Sequence, residues 1–304
     1  MSLSRLTNRL DCSPSPRATT PPHGNNPAMT VTLAEIVERR RADVEALKSA
    51  TPESELHALV AQAEPPRNFF RAVTRRLGAT AVIAEIKRKS PSAGWIRAEY
   101  EGETFSPESI ARGYHTAGAA AISCLTEPHY FAGDLAYIAR IKDAVPLPVL
   151  RKDFLIDPWQ LWESRAVGAD AVLLIAECLN DSQLVDMLIL AQQLQLTVLL
   201  EVHEMESLLR VRPYVGFPHA SYALLGINNR DLATMTTDIR HTLRLLDMVE
   251  DRSTLVSESG ISTSADLTRL SSEGVRIVLL GEHLMRSVDP GKALAGLLGQ
   301  SAEG

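Results

Sequence analysis

Eight short runs rich in aliphatic and β-branched residues, each separated from the next by a helix-length segment, constrain this chain more than any other feature. The runs are AVIAEI (81–86), AAAISCL (119–125), LPVLRK (147–152), DAVLLIA (170–176), LTVLLEV (196–202), YALLGIN (222–228), TLVSES (254–259) and VRIVLLG (275–281). Several are apolar throughout, as parallel strands buried on both faces must be. The segments between them carry helical spacing over 107–116, 135–143, 158–167, 182–193, 205–211, 239–247 and 264–272. Strict strand–helix alternation means α/β architecture. Eight repeats, none reading as an edge strand, predict closure into a (β/α)8 TIM barrel rather than an open doubly wound sheet. No GxGxxG follows the first run, which weakens a dinucleotide-binding reading further.

Helical spacing also precedes the first run. Leu33, Ile36, Val37, Val44 and Leu47 share one face over 31–48, and a second helical stretch is expected from about Pro52 to Leu77. No linker divides the chain beyond these helices, so residues 29–298 read as one catalytic domain that includes an N-terminal helical extension. Residues 12–28, CSPSPRATTPPHGNNPA, hold few core-forming side chains. Residues 1–28 are therefore expected to be a disordered tail. A start at Met29 or a transit peptide are the other readings, the latter disfavoured by sparse Arg and heavy Pro. Residues 299–304 read as a short C-terminal tail.

A net charge of −6 offers nothing to attract nucleic acid or an anionic membrane. No apolar run approaches the roughly 18 residues of a membrane span, and no apolar leader opens the chain. Cys12, Cys124 and Cys178 form no CxxC or Cys–His pair at zinc spacing. They are expected to be free, mostly buried thiols, as in a reducing, cytoplasmic compartment. No metal and no cofactor is expected. His129, His203 and His283 follow strands but share no metal spacing, and are read as surface or supporting residues.

The functional signal is where charge falls. A TIM barrel carries its site at the C-terminal ends of its strands, and here charge collects late in the runs: Glu85 and Lys87, Arg151-Lys152-Asp153, Glu201, Asn228-Asn229-Arg230-Asp231, Ser257-Glu258-Ser259-Gly260 and Gly281-Glu282. Each alone has a plain explanation, as a solvated loop residue or a structural ion pair. Charge in apolar strands is costly unless paired or lining a polar cavity, and several strands accept it at the same end. Strand alternation puts Glu85 and Lys87 on one face. The small residues Ser259, Gly260 and Gly281 after adjacent strands suit close backbone approach to a phosphate.

These residues, in order from about 31 to 295, resemble the indole-3-glycerol phosphate synthase family. The resemblance is carried by Ile83-Ala84-Glu85-Ile86-Lys87-Arg88-Lys89-Ser90-Pro91-Ser92, Leu125-Thr126-Glu127-Pro128 with Tyr130-Phe131 and Gly133, Arg151-Lys152-Asp153-Phe154, Gly226-Ile227-Asn228-Asn229-Arg230-Asp231-Leu232, Ser257-Glu258-Ser259-Gly260-Ile261 and Gly281-Glu282-His283-Leu284-Met285-Arg286. It implies ring closure, decarboxylation and dehydration of 1-(2-carboxyphenylamino)-1-deoxyribulose 5-phosphate. By position, Lys152 resembles the general acid of ring closure, Lys87 a second catalytic lysine and Glu201 the general base. Glu85 and Asn228 resemble residues that orient them, and Ser90 and Arg230 polar substrate contacts. Phe131, Phe154 and Leu173 resemble an apolar wall for the anthranilate ring. Ser259, Gly260, Gly281 and Glu282 resemble a phosphate cradle.

Position 282 departs from relatives that carry Ser, so its carboxylate is expected to point away from the phosphate. The partner implied is a phosphorylated small molecule, for a monofunctional monomer or weak homo-oligomer. Two readings compete. A phosphoribosylanthranilate isomerase or tryptophan synthase α-subunit would need different chemistry, the isomerase a Cys base that Cys124, in the second run, is misplaced to supply. A non-catalytic ligand-binding barrel would have lost Lys87, Lys152 or Glu201, and all three are present.

Overall fold

The structure, a computed structural model, describes residues 31–75, 78–102, 105–231 and 236–300. The expected tail over 1–28, Cys12, Leu77, Leu232 and the last four residues lie outside them. Two early helices, α1 (Leu33–Ala50) and α2 (Glu53–Val60), precede the barrel. α1 starts on a capping box: Thr32 accepts the Glu35 N–H, and Glu35 reaches back to the Thr32 N–H. The single helical stretch expected over 52–77 is corrected. It is α2 and a separate α3 (Phe69–Thr74), capped by Asn68. Pro65 and Pro66 between them have no N–H to donate and push the preceding backbone out of the helical region.

The eight runs form β1 (Ala81–Ile86), β2 (Ala121–Leu125), β3 (Val149–Lys152), β4 (Ala171–Ile175), β5 (Thr197–Val202), β6 (Ala223–Asn228), β7 (Leu255–Glu258) and β8 (Ile277–Leu280). Each pairs in parallel with the next, and β8 closes on β1 through Ala81↔Ile277 to Ala84↔Leu280. The helices around the barrel are α4 (Pro107–Thr116), α5 (Ala136–Ala144), α6 (Pro158–Ala166), α7 (Asp181–Gln193), α8 (Met205–Val211), α9 (Arg240–Leu245), α10 (Ser264–Ser272), α11 (Glu282–Arg286) and α12 (Pro290–Leu297). Gln300 ties down the C-terminal end of the described chain by donating to the Ala117 carbonyl. An antiparallel pair of two-residue strands, Lys89–Ser90 with Gly94–Trp95, follows β1; no sequence pattern announces it.

Strand alternation sorts the core in two. Outward residues such as Val82, Ala84, Ile122, Val198 and Leu200 pack under the helices. Inward residues such as Ile83, Leu150, Leu173, Leu199 and Val256 fill the barrel, joined from its N-terminal end by Phe69 and Val73 of α3. The same parity continues one step towards the C-terminal end, to Glu85, Lys152, Glu201, Asn228 and Glu258. Along β1, β3, β5 and β7 the barrel interior thus changes from hydrocarbon to charge within one residue pair.

α1 lies over the charged end. Its Arg40 is buried and reaches Asp153, just beyond β3, at 2.8 Å. Asp153 also accepts Thr126 Oγ1 at 2.7 Å and pairs with Arg151 at 3.0 Å. Lys48 of the same helix pairs with Asp157 at 2.8 Å.

Candidate active site

The charged layer opens into a cavity of about 580 Å³, an ordinary size for a small-molecule site. All fourteen sequence-derived positions line it: Glu85, Lys87, Ser90, Phe131, Lys152, Phe154, Leu173, Glu201, Asn228, Arg230, Ser259, Gly260, Gly281 and Glu282. Leu33 and Ile36 of α1 complete one side.

Lys152 Nζ lies 2.8 Å from Glu201 Oε2 and 3.3 Å from Glu258 Oε2. Burial alone would lower the lysine's pKa. The carboxylates of Glu201, Glu258 and Glu85 outweigh it and raise the value above the ordinary lysine range. Burial would raise Glu201, but Lys152 and His203 win and hold it at about 2. Glu258 behaves oppositely: burial and the neighbouring Glu201 push it well above the carboxylate range, since two buried carboxylates in contact share a proton. One Glu258 oxygen, Oε1, is buried without a hydrogen-bond partner. Asn228 Nδ2 donates to Glu201 Oε1 at 3.3 Å.

Across the mouth, Lys87 Nζ contacts Glu85 Oε1 at 2.7 Å. Two glycines make room for these carboxylates. A Cβ at Gly281 would stand 2.2 Å from Glu85 Oε1, and one at Gly226 would stand 2.3 Å from Glu258 Oε1. Gly226 therefore serves the site although nothing in its own chemistry announces it.

Phe131 and Phe154 form an aromatic wall, their ring centroids 6.1 Å apart. Arg230 donates to Ser92 Oγ at 2.6 Å and pairs with Glu282 at 3.1 Å, while Arg286 holds the other Glu282 oxygen at 2.8 Å. Burial would raise the Glu282 carboxyl, but Arg286, Lys87 and Arg230 lower it. Ser90 Oγ accepts the Ala93 N–H at 3.2 Å. Ser259 and Gly260 have consecutive positive φ angles of 66° and 75°, folding the chain sharply after β7.

Two residues of this site received no site role from the sequence. Glu258 is among the charges that collect late in the runs, as Glu85 and Glu201 are, and that signal marks it. His203, expected as a surface or supporting residue, is buried, lines the cavity and stands 3.4 Å from Glu201. Cys124 is buried in the outer core, and burial first, then Asp134 and Glu85, raise its thiol pKa, so it is no base for this cavity. Cys178 is a free, half-buried thiol. Among the described residues no cluster of His, Cys, Asp or Glu is arranged to hold a metal ion, and no helix is long and apolar enough to cross a membrane.

The closed parallel barrel is a (β/α)8 barrel, and its C-terminal mouth, where enzymes of this fold carry their sites, holds lysine–carboxylate pairs. The model of the indole-3-glycerol phosphate synthase family matches residues 33–297, and the chain belongs to that family. Its members are carboxy-lyases of tryptophan biosynthesis. The chain is 45% identical to the indole-3-glycerol phosphate synthase of Acidithiobacillus ferrooxidans over 274 residues, covering 88% of this chain and 99% of that one. It is 43% identical to that of Rhodospirillum rubrum over 273 residues, covering 89% and 100%.

Solved structures share the fold at low identity. A 3-hexulose-6-phosphate synthase from Salmonella typhimurium has a TM-score of 0.54 at 14% identity, over 72% of this chain and 99% of that one. A tryptophan synthase α-subunit from Legionella pneumophila has 0.51 at 14%, over 77% and 97%. These likenesses concern the barrel alone.

Proposed function

We propose that this cavity converts 1-(2-carboxyphenylamino)-1-deoxyribulose 5-phosphate to indole-3-glycerol phosphate, carbon dioxide and water. The observation that carries the reading is the contact of Lys152 with Glu201 at 2.8 Å, an acid and a base from β3 and β5 meeting in one cavity. The aromatic carbon attacks the ketone, and Lys152, protonated at working pH, donates to the developing alkoxide. The carboxylate then leaves as carbon dioxide, its bonding pair returning to the ring. Lys87, oriented by Glu85, protonates the departing hydroxyl. Glu201 removes the last proton and restores aromaticity.

Acid and base are coupled. While Lys152 is charged, it suppresses the basicity of Glu201. Once Lys152 has given up its proton, that suppression is gone and Glu201 becomes the stronger base. Asn228 orients Glu201. Phe131, Phe154 and Leu173 pack the anthranilate ring, and Arg230 and Ser90 bind polar substrate groups. Ser259, Gly260 and the backbone at Gly281 and Glu282 receive the phosphate. Engagement of the Glu282 carboxylate by Arg230 and Arg286 supports an N–H-only role for that residue. A monomer or weak homo-oligomer in the cytoplasm completes the proposal.

The test is turnover of the purified protein on that substrate, followed by indole fluorescence. Product formation supports the reading. A folded protein that binds the substrate without releasing indole product would overturn it in favour of a ligand-binding barrel.

A further inference from the structure

His203 stands two residues beyond Glu201, so strand alternation brings both towards the cavity. Its side chain is 7% exposed and sits between carboxylates from two different elements. Nδ1 is 3.3 Å from Glu177 Oε2, and Nε2 is 3.4 Å from Glu201 Oε1. Glu177 belongs to the short 3-10 turn Ala176–Cys178 after β4. It is fixed in turn, because its Oε1 accepts the His203 backbone N–H at 2.9 Å. From α9, His241 Nε2 donates to the His203 carbonyl at 2.7 Å.

A neutral imidazole has one N–H, so either tautomer would turn a lone pair towards a carboxylate. Only the imidazolium offers a proton to both sides. The charges facing the ring lead to the same conclusion. Glu177 and Glu201 are anionic and Lys152 is cationic, while burial and the neighbouring Glu201 raise the Glu258 pKa and favour its neutral form. With His203 neutral this wall keeps one net negative charge; with His203 protonated it balances. Cys178 feels the same field: burial, then Glu177 and Glu201, push its thiol up to about 12. For His203, burial lowers the pKa, but the Glu177 bond and the charges of Glu201 and Glu177 outweigh burial and Lys152, and the net shift is upward from 6.5.

We propose that His203 is a positioning residue, an imidazolium that bridges Glu177 to Glu201 and fixes the Glu201 carboxylate for its proton transfer. The inference rests on the reading of Glu201 as general base. His203 and Asn228 hold Glu201 Oε1, and Lys152 contacts Oε2. Loss of the His203 proton removes one of these restraints, so kcat falls on the alkaline side of the His203 transition while KM changes little.

The experiment combines kcat and KM profiles from pH 5.5 to 9 with ring ¹⁵N chemical shifts of His203, for wild type, His203→Gln, Glu177→Gln and Glu201→Gln. In wild type both ring nitrogens are expected to be protonated at pH 6.5. The kcat limb should share the midpoint of the ring titration. Glu177→Gln should move both midpoints to lower pH together. His203→Gln should lower kcat about 10- to 100-fold at pH 6.5, the scale of a misplaced catalytic group, and abolish the limb. A ring already neutral at pH 6.5, or a limb that stays put when Glu177→Gln moves the ring titration, overturns the proposal. So does a His203→Gln profile superimposable on wild type while Glu201→Gln is inactive. Wild-type turnover by Glu201→Gln would instead remove the general-base reading beneath it.

Discussion

The two ends of this barrel both bury charge, and they treat it differently. At the N-terminal end, Asp170 is fully buried and every demand on it is met. It accepts the Arg67 backbone N–H at 2.6 Å and the Val149 N–H at 2.8 Å, and it pairs with Lys142 Nζ. Arg67 in turn donates to the carbonyls of Val145 and Leu147 at 2.7 and 2.8 Å. Phe69 and Val73 close that end with hydrocarbon. At the C-terminal end the inward carboxyls stand close enough to disturb one another. Among the described residues the buried side-chain atoms without a partner are Arg40 Nε, Ser123 Oγ and Glu258 Oε1. Ser123 is the register partner of Glu85. None of the three belongs to the Asp170 cluster. Saturated buried charge is tolerated by the fold and costly to break, whereas buried charge with capacity to spare is available for a substrate.

That contrast breaks most easily at Lys152. Lys152→Ala removes the proposed acid, and kcat/KM is expected to fall by about 10²–10⁴, the worth of a general acid. The measurement is single-substrate kinetics on protein whose near-ultraviolet circular dichroism shows native packing. Activity within tenfold of wild type would remove Lys152 from the chemistry. Asp170→Ala should do the reverse. It deprives half-buried Lys142 of its partner and leaves the Arg67 and Val149 N–H groups unmet, so unfolding by urea should show a loss of about 2–4 kcal/mol. Turnover per folded molecule should stay within about twofold of wild type. A variant as stable as wild type would show that the N-terminal cluster is not structural.

The same contrast explains what was legible in the sequence. Strand period and segment length are local, so the barrel could be read directly. The late-strand positions of Glu85, Lys152, Glu201 and Asn228 placed them at one end of it, and their roles came from the family resemblance. What escaped reading depends on partners distant in sequence. Arg40 lies on the buried face of α1 between Ile36 and Val44, and the Asp153 that meets its charge there is distant in sequence. Glu258 looks like any strand-terminal carboxyl until Glu201 is placed beside it. His203 becomes charged only between Glu177 and Glu201. The two-residue strands at Lys89–Ser90 and Gly94–Trp95 are too short to carry a period at all.

Glycine placement sharpens the comparison at smaller cost. Gly281→Ala would press a methyl group onto Glu85, 2.2 Å from its Oε1 and 2.9 Å from its Cδ. The end of a carboxylate side chain can yield, so the fold should survive with a loss of no more than about 1–2 kcal/mol, within the usual range for a single substitution. Glu85 would then lose its 2.7 Å contact with Lys87, and kcat should fall about 10- to 100-fold, as expected when a catalytic group is misplaced. Unchanged kcat would show that the Glu85–Lys87 contact does not orient the lysine.

The smallest effect concerns the pH dependence of stability. Glu258 has its pKa raised in the folded protein by burial and by Glu201, above its ordinary value of 4.5. It therefore contributes stability below that value, and the contribution disappears as pH rises towards the folded-state pKa. Glu201 acts in the opposite sense. Its folded value is lowered to about 2, so its contribution is present above 4.5 and lost as pH falls towards 2. In Glu258→Gln the first dependence is removed and the second remains. The variant should therefore gain stability over wild type progressively as pH rises above 4.5, read as a widening gap between urea midpoints. Parallel curves across that range would mean that Glu258 is ionised in the folded protein. The proton assigned to the Glu201–Glu258 pair would then be absent, and the charge balance that makes His203 an imidazolium would have to be recounted.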